Sequence, residues 1–310
     1  MLATSAGLAV VVILVVIAVL RAGSATVASQ AVATGLMTGA VYGLIAMGLT
    51  LIFGVLDIVN FAHGAFLAVA LYVSFVVVDN WGLHPVIALL ICVPLMFLLG
   101  AAAHRGVLSF AIGRPLENQL LLTLGISLLI ENVLLMVFGP NPRSVALPGE
   151  RSYDVLGVVT NLSRVLAFVM ALVLATALYV LLQRTRLGTA IRAVAANHTG
   201  AELVGIDTRR MYTLTFAIGT ACAGAAGVLM APMTTIQPTS GEVFNILAFV
   251  VVVLGGMGNV VGALVGGLLV GLTEQLGGLY FPGQSPLLSV FVVFVLVLFL
   301  RPQGLFGRRS

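Results

Sequence analysis

The chain has 310 residues, of which 61% are hydrophobic and 8% are charged. Soluble domains are about 45–50% apolar and about 25% charged, so this composition excludes a water-soluble globular protein. At about 20 apolar residues per bilayer crossing, the chain has room for about eight to ten crossings. We therefore expect an all-α integral membrane protein, a polytopic bundle of about 8–10 transmembrane helices in which glycine breaks some helices, forming one transmembrane domain over residues 1–310.

The net charge is +4, and all 14 basic residues are arginine. The absence of lysine excludes a Walker-type phosphate loop and Schiff-base chemistry, since both need a lysine amine. Arginines spread over loops are typical of the positive-inside rule, so we expect a lipid bilayer and no nucleic acid as partner. Cys92 and Cys222 lie inside apolar runs, which predicts neither a disulfide nor a thiol metal site.

The first apolar run covers about residues 2–20. It resembles a secretory signal, but it lacks a basic start and Arg21 follows it, so we predict a first membrane span. Further runs are predicted at about residues 31–53, 61–78, 85–103, 119–138, 165–182, 211–231, 244–276 and 287–300.

The number of spans depends on residues 255–259. If the chain turns at Gly258 and Asn259, residues 244–276 form two short crossings, the total is ten, and both termini are cytoplasmic. The arginines support this arrangement, since it places ten of them inside and four outside. The predicted inner set is Arg105, Arg114, Arg184, Arg186, Arg192, Arg209, Arg210, Arg301, Arg308 and Arg309, and the outer set is Arg21, Arg143, Arg151 and Arg164.

Small residues recur every four positions in three runs, which predicts close helix contacts. The three sets are Gly35, Gly39 and Gly43; Gly219, Ala223 and Gly227; and Gly258, Gly262 and Gly266.

Polar residues stand between two apolar runs at residues 57–64. The segment is either a tight cytoplasmic hairpin or an unwound membrane segment. Asp57 is expected at the water interface, because a charge at the bilayer centre costs at least a few kcal/mol. Asn60 falls where the N-cap of the next helix is expected, with His63 one turn later. Both can serve capping and interhelix hydrogen bonds or line a substrate path.

Two acidic residues lie within apolar runs, Glu131 beside Asn132 and Glu274 beside Gln275. An ion-coupled secondary transporter needs such carboxylates, but interfacial positions also accommodate them. The histidines at 63, 84, 104 and 198 are widely scattered, which predicts no metal site and does not favour a membrane enzyme.

Two loops are long enough to bind a partner. Residues 183–210 are rich in alanine, with a predicted short amphipathic helix that Gly205 ends. Such a helix fits a groove on a partner protein, or lies on the membrane surface anchored by Arg184 and Arg186. Residues 139–161 form the longest predicted outer loop, either a platform for an external partner or a solvated connector.

Four separated motifs, in order, resemble the LivH-type permeases, the membrane subunits of branched-chain amino-acid ABC importers. The resemblance covers about residue 31 to the C-terminus. The motifs are residues 43–54 followed by Asn60-Phe-Ala-His-Gly64; Gly188-Thr-Ala-Ile-Arg-Ala193 with Gly205-Ile206; Gly255-Gly-Met-Gly-Asn259 with Gly262; and Arg301-Pro-Gln-Gly-Leu-Phe306.

The resemblance implies an inner-membrane importer subunit rather than an enzyme. It implies a second related permease subunit, two ATPase subunits that bind the ATP, and an extracytoplasmic amino-acid-binding protein; no cofactor is implied in this chain. The implied translocation-path candidates are Asn60, Phe61, His63, Gly64 and Asn259. The implied coupling candidates in residues 183–210 are Gly188, Arg192, Ala195, Ala196, Asn197, Ala201 and Gly205.

One departure from the family pattern affects the path. Family members often carry an acidic residue directly after the His-Gly pair, where this chain has Ala65. From the sequence, a carboxylate contact at that point is not expected. Related permeases carry branched-chain amino acids, other amino acids, urea or amides, so the motifs leave the substrate open.

Overall fold

A computed structural model of the chain describes residues 25–145, 152–155, 158–280 and 286–307. The predicted span at residues 2–20 lies outside the described residues. The described helices are α1 (Ala25–Leu56), α2 (His63–Phe75), α3 (Pro85–Gly106), α4 (Leu116–Phe138), α5 (Leu162–Arg184), α6 (Arg186–Ala196), α7 (His198–Leu203), α8 (Thr208–Met230), α9 (Ser240–Gly255), α10 (Val260–Tyr280) and α11 (Pro286–Leu300). A π-helical turn, Val76–Asn80, extends α2, and a short 3₁₀ turn, Leu108–Phe110, follows α3.

The helices run between two ends of the bundle, and most described arginines lie at one of them. We call this the arginine-rich end; it carries Arg105, Arg114, Arg184, Arg186, Arg192, Arg209, Arg210 and Arg301. Arg143 and Arg164 lie at the opposite end, here called the hairpin end. The described arginines thus separate into the two sets that the sequence predicts, while Arg21, Arg151, Arg308 and Arg309 lie outside the described residues.

Nine helices within the described ranges form the bundle: α1 to α5 and α8 to α11. Seven are long and apolar enough to span a membrane by length and composition. The other two, α9 and α11, have 16 and 15 residues, and α9 covers about 24 Å at about 1.5 Å per residue. The chain turns at residues 256–259 between α9 and α10, so residues 244–276 divide into two helices at the predicted turn.

The two central helices are α1 and α8. In each, 83% of the apolar window is buried, against 11% in the peripheral helix α4. Glycines permit this density. A β-carbon placed on Gly39 would lie 2.8 Å from the Gly267 carbonyl oxygen, and one on Gly35 would lie 2.9 Å from that of Gly271. The α1 and α10 backbones therefore touch directly, as the four-residue spacing predicts.

The glycine series of α10 divides between two neighbours. Gly262 and Gly266 face the backbone of α9, whereas Gly267 and Gly271, outside the predicted series, face α1. In α8, Gly219 faces α1 and Gly227 faces α2. Sequence spacing thus identifies contact faces, but it does not identify which helix each face contacts.

A β-hairpin that the sequence did not predict lies in residues 139–161. Its strands, β1 (Ser152–Val155) and β2 (Val158–Asn161), pair antiparallel. The Gln30 side chain of α1 donates to the Val159 carbonyl at 2.7 Å and accepts from the Val159 N–H at 2.8 Å. Nearby, Arg143 forms an isolated β-bridge with Ile236. The loop is thus attached to two other parts of the bundle.

Candidate path and coupling surface

The segment between α1 and α2 is unwound and returns into the bundle. The first helix ends at Leu56, and Asp57 has a φ of +54°, a left-handed conformation that short polar residues tolerate. Asp57 is exposed, as expected for a charged residue at the end of a span. Residues 58–62 then run back inside, where Thr123 of α4 donates to the Val59 carbonyl at 3.3 Å.

The position of His63 fixes how deep this segment reaches. Its Nε2 donates a hydrogen bond to the Ile45 carbonyl oxygen at 3.1 Å. Ile45 precedes the end of α1 by 11 residues (45 to 56), which is about 16 Å at about 1.5 Å per residue. The second helix therefore begins near the middle of the bundle. Of the two predicted alternatives, the structure has the unwound segment.

Two asparagine side chains accept hydrogen bonds from backbone N–H groups at the N-terminus of α2. The Asn60 Oδ1 accepts from the Ala62 N–H at 3.1 Å, and Asn245 Oδ1 of α9 accepts from the Gly64 N–H, also at 3.1 Å. The N-cap residue is Ala62 rather than the predicted Asn60. The Asn60 side chain accepts from the Ala62 N–H, in the turn that precedes the helix, instead of from an N–H inside the helix. Non-helical backbone at this depth needs such protein partners, since lipid offers none.

Most path candidates are buried within this chain. Asn60, His63 and Gly64 are buried, and the Asn60 Nδ2 and His63 Nδ1 atoms have no hydrogen-bond partner among the described residues. Phe61 differs, because it is 37% exposed while its ring contacts that of Phe249 in a tilted arrangement, with the centroids 5.3 Å apart. Phe61 therefore presents an aromatic surface outward from the middle of the bundle.

Asn259 lies apart from the other path candidates, at the arginine-rich end. Its Oδ1 accepts from the Gly262 N–H at 2.9 Å, and its Nδ2 donates to the Phe306 carbonyl at 3.2 Å. It thus caps α10 and holds the C-terminal tail. Sequence reasoning missed Asn245, although an isolated amide in an apolar run is itself a signal of a polar contact.

The position after the His-Gly pair faces two carboxylates from other helices. Ala65 shares a small cavity of about 10 Å³ with Glu131 of α4 and Glu242 of α9. Two neighbouring helices thus bring carboxylates to the cavity beside Ala65, although position 65 itself carries none. This relation depends on packing between distant parts of the sequence, which no local motif contains.

The alanine-rich loop contains two helices rather than the predicted one. The break falls at Asn197, which leaves the helical conformation (φ −162°, ψ 103°) and accepts at its Oδ1 from the Gly200 N–H at 2.9 Å, capping α7. Thr185 and Asp207 cap α6 and α8 in the same way. Gly205 (φ +84°) follows α7, so its predicted role in ending the helix is confirmed.

The coupling candidates divide between the interior and the surface. Gly188 and Ala201 are buried, and Gly188 packs against the end of α5. Arg192 is exposed and donates from Nη1 to the Gln183 Oε1 at 2.7 Å. The remaining candidates, Ala195, Ala196, Asn197 and Gly205, are exposed.

Two larger apolar side chains add to this surface. Leu203 is 84% exposed and Val204 is 76% exposed, in the loop at the arginine-rich end. We call Ala195, Ala196, Leu203 and Val204 the elbow patch. Beside it opens a cavity of about 990 Å³, lined by polar groups of the same end, including His198, Glu202 and Arg209. The elbow patch is thus a small exposed apolar surface at this end of the bundle.

Comparisons with known proteins agree with this architecture. A model of the family described as "Branched-chain amino acid transport system / permease component" matches residues 31–300. The chain is 33% identical to the high-affinity branched-chain amino acid transport system permease protein BraD of Pseudomonas aeruginosa, over 90% of this chain and 95% of that protein. It is 32% identical to the permease protein LivH of Escherichia coli over the same shares.

A more distant relative is archaeal. The probable branched-chain amino acid transport permease protein LivH of Methanocaldococcus jannaschii is 28% identical over 85% of this chain and 88% of that protein. No solved structure is significantly similar to the chain. The relatives are transport permeases, which supports the importer interpretation over the ion-coupled carrier. The chain therefore belongs to the permease-component family of branched-chain amino acid transport systems.

Proposed function

We propose that this chain is one permease subunit of an importer that carries branched-chain amino acids across the cytoplasmic membrane. The names of its relatives support the substrate class. The chain works with a second related permease subunit, two ATPase subunits and an extracytoplasmic amino-acid-binding protein. ATP binds to the ATPase subunits, and this chain needs no cofactor of its own.

The proposed orientation places the arginine-rich end in the cytoplasm. Eight of the described arginines lie there and two at the hairpin end, and cytoplasmic connections of membrane proteins carry the excess of arginine and lysine. The β-hairpin then faces outward, where it is available to the binding protein. Both termini lie on the cytoplasmic side in this arrangement.

The elbow patch is the observation that carries the proposal. It consists of aliphatic side chains exposed beyond the ends of the membrane-spanning helices. Burying one Leu or Val side chain contributes about 1.5–3 kcal/mol. A groove on an ATPase subunit offers that burial, with α6 and α7 as the coupling element.

The packing of α6 provides a route for movement. Its buried residues Gly188, Ile191 and Val194 lie on one face, and the helix packs against α5, α1 and α8. A displacement of the elbow by the ATPase thus reaches the two central helices directly. ATP binding biases the bundle between its outward-open and inward-open states, provided that the ATPase contact differs between them.

The proposed path runs along the face that carries Phe61. The Phe61 and Phe249 rings form the surface that meets the second permease. Asn60, His63 and Gly64 hold the unwound segment behind that surface, and Asn259 holds the turn below it.

Leu203→Glu tests the coupling surface. We expect at least a tenfold loss of ATPase subunits that co-purify with the permease pair, because the substitution removes apolar burial and places a charge in the groove. The control is Asn118→Glu, an exposed site at the same end but outside the elbow patch, which should leave co-purification unchanged.

Two results would contradict the proposal. If Leu203→Glu left co-purification and ATP-driven leucine uptake unchanged, the elbow patch would not be the contact with the ATPase. The alternative, a helix that lies on the membrane surface, would then be favoured. Leucine uptake by vesicles holding this chain alone, driven by a proton or sodium gradient, would replace the importer with an ion-coupled carrier.

A further inference from the structure

A second large cavity opens at the hairpin end and belongs to neither surface described above. Its volume is about 640 Å³, and its lining comes from α1, α8, α9 and α10, with Arg164 from the start of α5. Tyr42 of α1 and Glu274 of α10 both line it. Each lies 14 residues from the arginine-rich end of its helix (42 to 56, and 260 to 274), about 21 Å away at about 1.5 Å per residue. Glu274 lies six residues from the hairpin end of α10 (274 to 280), so the cavity reaches about 9 Å into the bundle along that helix.

The carboxylate in this cavity is only partly satisfied. Tyr42 and Glu274 line the same part of the cavity from two helices. The Glu274 Oε2 atom is buried and has no hydrogen-bond partner among the described residues. A buried carboxylate oxygen without a partner is costly, so the Glu274 carboxylate gains from a cationic group bound in the cavity that it lines.

The remaining lining is complementary to an amphipathic small molecule. Apolar surface comes from Phe244 and Leu247 of α9 and from Met233. Polar surface comes from threonine and glutamine side chains of α1 and α10, and the positive charge of Arg164 lies at the same cavity. An anion, a cation and an apolar wall are the features that recognise the two charges and the side chain of a zwitterionic amino acid.

We propose that this cavity is a binding site in which Glu274 accepts the ammonium group of an amino acid whose apolar side chain lies against α9. The Arg164 guanidinium pairs with the substrate carboxylate. The proposal rests on the proposed function and adds to it. After the binding protein releases the amino acid, this chain itself binds and recognises it.

The test measures protection of a cysteine in the cavity. In the intact complex with its permease and ATPase partners, Cys92 and Cys222 are replaced by alanine and Thr34, which lines the cavity, is replaced by cysteine. The rate of modification by a methanethiosulfonate reagent is then measured with increasing leucine. We expect leucine to slow the reaction, and 4-methylpentanoate, which lacks the ammonium group, to have little effect.

Glu274→Gln keeps the size and polarity of the side chain but removes its charge. We expect the leucine concentration for half-maximal protection to rise about tenfold to a hundredfold, as for the loss of a hydrogen bond to a charged group. Glu242→Gln is the matched control. Glu242 is a carboxylate of the same end that lines a different cavity, so its removal should leave protection unchanged.

Equal protection by leucine in the parent and in Glu274→Gln would overturn the proposal, as would equal protection by leucine and 4-methylpentanoate in the parent. The second comparison needs no variant of Glu274 and holds even where Glu274→Gln fails to assemble. ATP-driven leucine uptake by the parent complex, measured in parallel, tests the proposed function separately. Uptake without selective protection contradicts this site alone.

Discussion

Asn245 is a single amide within an otherwise apolar helix, and it accepts the Gly64 N–H at 3.1 Å near the middle of the bundle. No water or lipid headgroup is expected at that depth to replace it. Asn245→Ala should therefore leave the Gly64 N–H unsatisfied and lower the free energy of unfolding by about 1–3 kcal/mol. Thermal unfolding of the protein in detergent measures this as a lower melting temperature.

Asn132→Ala provides the comparison for this prediction. The Asn132 side chain is exposed and donates only to the Leu128 carbonyl of its own helix, at 2.7 Å. Its removal leaves no buried group without a partner, so the melting temperature should change little. Equal decreases in melting temperature in the two variants would show that the Asn245 hydrogen bond stabilises the protein no more than the Asn132 one.

At this scale, the sequence identifies polar residues but not their partners. Asn60 and His63 stand out because they are polar between two apolar runs, and both make contacts that hold the unwound segment. Their partners, the Ala62 N–H and the Ile45 carbonyl, are backbone groups that no residue type reveals. Asn245 lies 181 positions from Gly64, so only the packing of α9 on α2 brings them together.

The contact between α1 and α10 depends on the absence of side chains. A β-carbon on Gly39 would lie 2.8 Å from the Gly267 carbonyl oxygen and 2.9 Å from the Leu268 Cα. These are backbone atoms, which cannot turn aside as a flexible side chain can. Gly39→Ala should separate the two helices and destabilise the protein by about 1–3 kcal/mol, the usual cost of overpacking, seen as a lower melting temperature in detergent.

Gly125→Ala is the matched control within another helix. A β-carbon at Gly125 would meet nothing within 4 Å, and alanine is the better helix former. This variant should therefore match or slightly exceed the parent in melting temperature. If Gly39→Ala behaved in the same way, direct backbone contact between α1 and α10 would be refuted.

At the scale of elements, the apolar runs and the caps are predictable because they are local. The runs beginning near residues 31, 119 and 211 correspond to α1, α4 and α8. The division of the alanine-rich loop at Asn197 is not predicted, because an Asn between helix-forming residues is compatible with either one helix or two. The β-hairpin escapes prediction as well, since its strands have four residues each.

The arrangement of the whole molecule in the bilayer is tested by labelling from one side. Thr199 lies in α7 and Ser152 lies in β1, at opposite ends, and both are exposed. In intact cells, with Cys92 and Cys222 replaced by alanine, a membrane-impermeant maleimide should label Ser152→Cys and leave Thr199→Cys unlabelled. After the membrane is opened, both should react.

The reverse pattern would place the elbow patch outside the cell, where no ATPase reaches it.

At this scale, the sequence predicts the separation of the arginines into two sets correctly, because the positive-inside rule acts on each short loop by itself. It does not predict the 640 Å³ cavity or the meeting of Tyr42 with Glu274, since these depend on how α1, α9 and α10 pack around one another.

The turns at residues 58–62, 197 and 259 share one chemical property. The acceptors that close them are the amide oxygens of Asn60, Asn245, Asn197 and Asn259. An amide neither gains nor loses a proton under physiological conditions, unlike the carboxylate that often caps a helix in its place. These turns therefore keep the same hydrogen bonds whether the surrounding medium is acidic or alkaline, which suits a protein whose two ends meet solutions of different composition.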